Sequence, residues 1–196
     1  MTLTIGYFLI ILAWLIFGII HSALASRKIK EKAQQLGVGS LAYRRIYNLL
    51  AVFLMLLILL GGGFIQPEYF MPHGKSSRGI GLILATFGFF LTKMAFKEIS
   101  FAVFIGLKEE KKTELVKTGI YARIRHPLYT ATILFLTGFV IFSPSYTNLV
   151  HAICLFVYLI IGVRYEEKRL LKNYGIEYEQ YQKQVPMLLP RISLPK

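Results

Sequence analysis

The sequence predicts an all-α, polytopic membrane protein with about five transmembrane helices. Three observations lead there. The chain of 196 residues is 55% hydrophobic and its mean hydropathy is positive, a balance typical of membrane proteins. The apolar residues gather into five runs. All but two of the 23 Lys and Arg residues, Lys75 and Arg78, fall in alternate connections between those runs.

The first run covers roughly 3–25, near the ~20 residues a helix needs to cross a bilayer. It has no basic start and no small-residue cleavage site, so it reads as a retained helix and not as a signal peptide. The second run, 46–65, carries GGGF (61–64) near its end. Those glycines either allow a close helix approach or a bend, or they mark a frayed helix end. The third run is 79–96. The fourth and fifth, 128–142 and 146–163, are shorter and are joined by SPSYTN (143–148), a tight turn around Pro144. They read as a helical hairpin. The expected organisation is a single membrane domain, 1–196, with a three-helix half (1–98) and a second half (99–196).

The net charge of +13 fits either nucleic acid or an anionic membrane face. Its distribution decides. The basic residues lie in 26–45, 93–128 and 164–196, which an odd number of crossings places on one side. The positive-inside rule then puts the N-terminus outside and the C-terminus in the cytoplasm. No basic groove with stacking aromatics appears, so no nucleic-acid partner is expected. Cys154, the sole cysteine, excludes an internal disulfide and a cysteine-based metal site, and no metal is expected. The chain has no Asp; its ten acidic residues are all Glu.

The polar residues concentrate in three stretches. In ELVKTGIYARIRHPLYT (114–130), Pro127 suits the first position of a helix and pushes His126 out of helical geometry. His126 therefore falls at or next to the N-cap of the fourth helix. The unpaired N–H groups there, with Arg123 and Arg125 beside them, suit a carboxylate or phosphate. Tyr129 lies in the first turn, and Gly119 sits where backbone can approach a ligand closely. Membrane anchoring plus a helix start explains the same residues. In RYEEKRLLKNYG (164–175), Glu167, Leu170, Leu171 and Tyr174 form a helical stripe. A helix with that stripe packs back on the preceding loop and turns Glu166 and Glu167 toward the basic stretch; surface ion pairing is the alternative. The tail, IEYEQYQKQVPMLLPRI (176–192), carries Tyr178, Tyr181, Pro186 and Pro190, which cap a pocket or serve as interfacial anchors.

Two of these stretches carry a resemblance. LVKTGIYARIRHPLYTA (115–131) resembles the L-x-x-x-G-x-Y-x-x-x-R-H-P-x-Y-x-[GA] pattern of the membrane methyltransferases, a group that includes isoprenylcysteine carboxyl methyltransferases and phospholipid N-methyltransferases. Residues 164–190 resemble that family's C-terminal half, R-x-E-E-x-x-L-x-x-x-Y-G-x-x-Y-x-x-Y-x-x-x-V-P-x-x-x-P. Toward the N-terminus, WLIFGIIHSALASRKIK and YRRIYNLLA are similar to bacterial relatives of these enzymes and to methanethiol S-methyltransferases. There His21, Ser22, Tyr43, Arg44 and Tyr47 either line a substrate entrance or anchor helix ends.

The resemblance implies an S-adenosylmethionine site without a Rossmann fold, on the cytoplasmic side. It would be built from the loop before the fourth helix and the C-terminal helix, which makes 99–196 the catalytic half. Position by position, the cofactor would touch Leu115, Val116, Gly119, Tyr121, Arg125, His126, Tyr129, Glu166 and Glu167. Arg164 and Glu167 would stand at the reacting centre. The expected acceptor is a lipophilic or lipidated molecule entering from the bilayer, an isoprenylcysteine-type carboxylate or a thiol. Methylation of lipid amines or small thiols, or an NADPH-dependent membrane reductase, are the alternatives.

Overall fold

The computed structural model describes residues 3–108 and 114–191. Ile192 of the tail, and Lys111, Lys112 and Lys196 among the counted basic residues, lie outside the described residues. The chain is all-α. Its helices are α1 (Leu3–Ala25), α2 (Arg27–Gln35), α3 (Ser40–Gly62), α4 (Lys75–Glu98), α5 (Phe101–Phe104), α6 (Pro127–Phe142), α7 (Tyr146–Tyr174) and α8 (Ile176–Gln184), with a 3-10 turn at Gly119–Ala122. Helices dominate for a physical reason. In hydrocarbon each backbone N–H and C=O must be satisfied within its own segment. Four helices, α1, α3, α4 and α7, are long and apolar enough to cross a membrane, and α6 is a shorter apolar helix. The protein is a polytopic membrane protein.

Several boundaries differ from the sequence reading: α3 starts at Ser40, ahead of 46, and α4 at Lys75, ahead of 79. The hairpin connection is only Ser143–Ser145, because α7 starts at Tyr146. Moreover, α7 does not stop at Val163. It runs on for 29 residues, about 44 Å at 1.5 Å per residue, against a hydrocarbon layer of about 30 Å. The charged turns from Arg164 onward therefore extend beyond the apolar layer on the same rigid rod.

The helices form two compact units. The first holds α1, α2, α3, α5 and the start of α7, and in it α1, α3 and the start of α7 pack around Ile10, Trp14, Phe17 and Ile65. Trp14 Nε1 donates to His151 Nδ1 at 2.8 Å in the buried interior. A side chain at Gly62 would collide with the His151 imidazole, so the GGG run serves a close helix approach. Tyr47 and His21 share a 2.5 Å hydrogen bond, and the Tyr43 hydroxyl donates to Leu24 O at 2.7 Å. The Arg44 stem packs on Gly106, and Ser22 is exposed. His21, Tyr43 and Tyr47 thus tie the end of α1 to the start of α3.

In the second unit α4 and α6 run antiparallel. A Cβ at Gly81 would lie 2.6 Å from Gly138 O, and one at Gly88 would lie 3.0 Å from Ala131 O. Small residues seven apart on each helix let the backbones meet, the usual device where lipid supplies no hydrophobic drive between helices. This antiparallel contact puts the C-terminal end of α4, at Glu98, beside the N-terminal end of α6.

Candidate functional site

The site begins at the start of α6. His126 is its N-cap and Pro127 its first residue, as the missing N–H of proline dictates. His126 is only 5% exposed. Its Nε2 lies 2.5 Å from Glu167 Oε1, and its Nδ1 lies 3.8 Å from Glu166 Oε2. The loop ahead of α6 and the glutamate pair of α7 are therefore in contact, 41 residues apart in sequence.

Glu167 is the hub. The Arg125 guanidinium grips it with two donors, Nε to Oε1 and Nη2 to Oε2, both at 3.0 Å. The Tyr178 hydroxyl donates to Oε1 at 2.7 Å, and Gln182 Nε2 donates to Oε2 at 2.5 Å. The remaining Arg125 nitrogen, Nη1, bonds the carbonyls of Gln182 and Val185. The side chains of Arg125 and Glu167 are 9% and 14% exposed. A fork-on-fork pair this enclosed is strong and geometrically demanding.

The tail completes the clamp. Pro186 O accepts from Arg125 N, Met187 O from His126 N and Leu188 O from Thr130 Oγ1. The Tyr181 hydroxyl donates to Tyr121 O at 2.6 Å. Tyr178, Tyr181 and Val185 form a small buried core against which Leu115, Leu170 and Tyr174 pack. This settles the tail: it covers the loop. Burial pushes the Tyr181 hydroxyl up to about 12. The Tyr178 hydroxyl is raised too, first by burial and then by its bond to Glu167.

A second layer stays more open. Glu166, with its side chain 31% exposed, lies within hydrogen-bonding reach of Tyr129 and 3.7 Å from Arg169 Nη2. The Tyr129 ring stands edge-on to His126 at 5.5 Å, with its hydroxyl against Gly162. The Tyr121 hydroxyl is raised by burial first, then by Glu166, Tyr181 and Glu98. Glu98 accepts from Thr118 Oγ1 at 2.5 Å and lies across Gly119, where any Cβ would strike it. Gly119 also holds φ +55°, a conformation that L residues with side chains resist.

The structure sorts the sequence-predicted residues. Arg125, His126 and Glu167 form the enclosed clamp. Gly119, Tyr121, Tyr129 and Glu166 form the open layer. Leu115 belongs to the tail's core, Val116 is half-buried, and Arg164 is exposed on α7. Glu98, Arg169 and Gln182 were not expected as site residues, and Tyr178 was expected only as a pocket cap or an interfacial anchor. Tyr178 and Gln182 had a readable signal, the spacing of 11 and 15 residues from Glu167 across a glycine break. Glu98 had none, since only the α4–α6 pairing brings it to the loop.

Comparison with known proteins agrees with this geometry. A family model described as phospholipid methyltransferase matches residues 77–177, just over half of the chain. The chain belongs to the phospholipid methyltransferase family. The family match covers nearly all of α4, the loop, α6, the whole of α7 and the first residues of α8. Among individual family relatives, a methanethiol S-methyltransferase from Pseudomonas sp. (strain GM41(2012)) is 28% identical over 90% of this chain and 70% of its own length. Another from Crocosphaera subtropica is 36% identical over 46% of this chain and 36% of its own length. The protein-S-isoprenylcysteine O-methyltransferase of Schizosaccharomyces pombe is 32% identical over 47% of this chain and 40% of its own length. The chain thus spans about two fifths or less of the latter two relatives.

Proposed function

We propose that this protein is an S-adenosylmethionine-dependent methyltransferase whose acceptor arrives from the bilayer. The observation that carries the reading is the convergence of Arg125, His126, Glu166 and Glu167 at the start of α6, within the segment that matches the family.

The residues present suit the methyl donor. Its ammonium and ribose hydroxyls need acceptors, which Glu166 and Glu98 offer. Its sulfonium suits carboxylates and the ring faces of Tyr121 and Tyr129. Its carboxylate suits Arg169 and the cationic start of α6. Gly119 leaves backbone open to close approach. The clamp of Arg125, His126 and Glu167 holds these groups in place, with its own donors already engaged within the protein. When bound, the donor supplies an activated methyl group. Glu166, Glu98 and Arg169 would hold that donor, and the acceptor would take its methyl group. The protein's part is alignment and exclusion of water, a contribution that reaches roughly 7–11 kcal/mol in the best intramolecular cases. A thiol acceptor must also lose a proton, and Glu166, partly exposed beside His126, is the carboxylate we assign to take it. Arg164, exposed one turn before Glu167, is positioned to meet an anionic acceptor at the membrane surface.

The names of the similar proteins favour an isoprenylcysteine-type carboxylate or a thiol as acceptor. A small thiol is the second reading, supported by the relative that aligns over nearly the whole chain. The charge asymmetry supports the basic ends, α8 included, on the cytoplasmic side with the N-terminus outside.

The test uses the purified full chain in lipid nanodiscs. Calorimetry should show saturable binding of S-adenosylmethionine and none of NADPH; the reverse would make the protein a reductase and overturn the reading. Labelled S-adenosylmethionine offered with prenylcysteines, short thiols and amine lipids then assigns the acceptor by where the label goes.

A further inference from the structure

The first unit holds a second site, unrelated to the methyl donor. Between α1 and α3 lies a cavity of about 480 Å³, within the ~300–1,000 Å³ of small-molecule sites. Its lining is wholly apolar and includes Gly6, Ala13, Ile16, Ile20, Leu57 and Gly61. From Gly6 to Ile20 it follows α1 for about 21 Å, the reach of a long extended hydrocarbon chain. Gly61 is what keeps it open. A glycine inside a helix costs about 1 kcal/mol relative to alanine, yet a side chain at Gly61 would meet nothing within 4 Å. Its neighbour Gly62 is excused by the His151 contact; Gly61 is not.

One end of the groove is strongly basic. Toward Leu24 and Tyr47 it narrows to a crevice. There α1 gives way to α2 with Arg27, Lys28, Lys30 and Lys32, and α3 begins with Arg44 and Arg45. Arg27 is paired with Glu31 at 2.6 Å and Arg45 Nε donates to Gly106 O at 3.2 Å, while Lys28 and Lys32 are exposed on α2. An apolar channel of chain length that ends under a cluster of cations matches one molecule: a lipid with a hydrocarbon chain and a negative head. We propose that the α1–α3 groove binds one acyl chain of an anionic phospholipid, with its phosphate on Lys28 and Lys32 of α2. Each Lys or Arg near the surface favours an anionic lipid by about 1 kcal/mol, so selection over a neutral lipid should be at least about fivefold.

The proposal stands apart from methyl transfer and is tested without it. The full chain is reconstituted in phosphatidylcholine vesicles with a trace of either phosphatidylglycerol or phosphatidylcholine bearing a photoactivatable acyl chain. Adducts are mapped after illumination. The expected result is at least about fivefold more labelling of the α1 and α3 segments by the phosphatidylglycerol probe. Gly61→Leu should abolish it by filling the groove. Lys28→Gln with Lys32→Gln, both exposed on α2, should bring the two probes closer together, as should high salt. Equal labelling by both probes in the wild type shows bulk lipid only and overturns the proposal. So does labelling that Gly61→Leu leaves unchanged while the variant keeps the wild-type thermal midpoint. A crosslinked dimer whose groove takes up no lipid probe would seat a second copy there and overturn it equally.

Discussion

Replacing Glu167 with Gln tests the clamp most directly. The substitution keeps the shape and removes the charge. Arg125 loses a two-point ionic partner whose bonds are both 3.0 Å. One amide oxygen cannot accept from Arg125, His126, Tyr178 and Gln182 together, and the new NH₂ group points donors at donors. Breaking a buried ion pair by altering one partner costs about 3–5 kcal/mol. The Glu167 side chain is 14% exposed, which favours the lower end, about 3 kcal/mol. For a chain of this size each kcal/mol moves the thermal midpoint by roughly 2–4 °C, so Glu167→Gln should melt about 6–12 °C below wild type. The assay is thermal unfolding of the purified protein in one fixed detergent. A double-mutant cycle sharpens it. Arg125→Met and Glu167→Met should each be costly, and the pair together far less costly than their sum, because an apolar pair leaves no buried charge uncompensated. A Glu167→Gln midpoint within about 2 °C of wild type, or strict additivity in the cycle, would refute the hub.

Three further outcomes follow from the same geometry. Glu166→Gln breaks only partly exposed contacts, worth about 0–1 kcal/mol, so its midpoint should hold while calorimetric affinity for S-adenosylmethionine falls roughly 10-fold or more, the value of a hydrogen bond to a charged group. Gly119→Ala must both adopt a positive φ and displace Glu98; the φ contribution alone is about 1–2 kcal/mol, and a lowered midpoint that Glu98→Ala does not restore would confirm it. Truncation after Val185 removes the carbonyls that serve Arg125 N, His126 N and Thr130 Oγ1. At about 1 kcal/mol net per bond it should lower the midpoint by several degrees and increase proteolysis between Tyr121 and His126.

Much of the fold was legible because hydrocarbon leaves so few choices. The five apolar runs had to be helices, Pro127 suited the first position of one, and the stripe of Glu167, Leu170, Leu171 and Tyr174 put the glutamate pair on a helix. The meeting of Arg125 and His126 with Glu166 and Glu167 was readable from residue type and order. Their roles were not. The stripe of Glu167, Leu170, Leu171 and Tyr174 set Glu167 apart from Glu166, but it did not show that four side chains hold Glu167 while Glu166 stays partly exposed. That difference comes from which side of α7 faces the loop and from α8 folding back at Gly175, where φ is +55°.

The sequence alone determined which segments are apolar enough to enter the membrane and which polar residues lie near their ends, because those follow from local hydropathy and local backbone sterics. Only the tertiary structure decided that Glu98 joins the site, that the tail closes over the loop, and that Gly62 packs while Gly61 opens a groove. Each of these depends on contacts between helices far apart in the chain. Such contacts are fixed by how closely two backbones can approach, as at Gly81 and Gly138, a property of the pair that neither segment carries by itself.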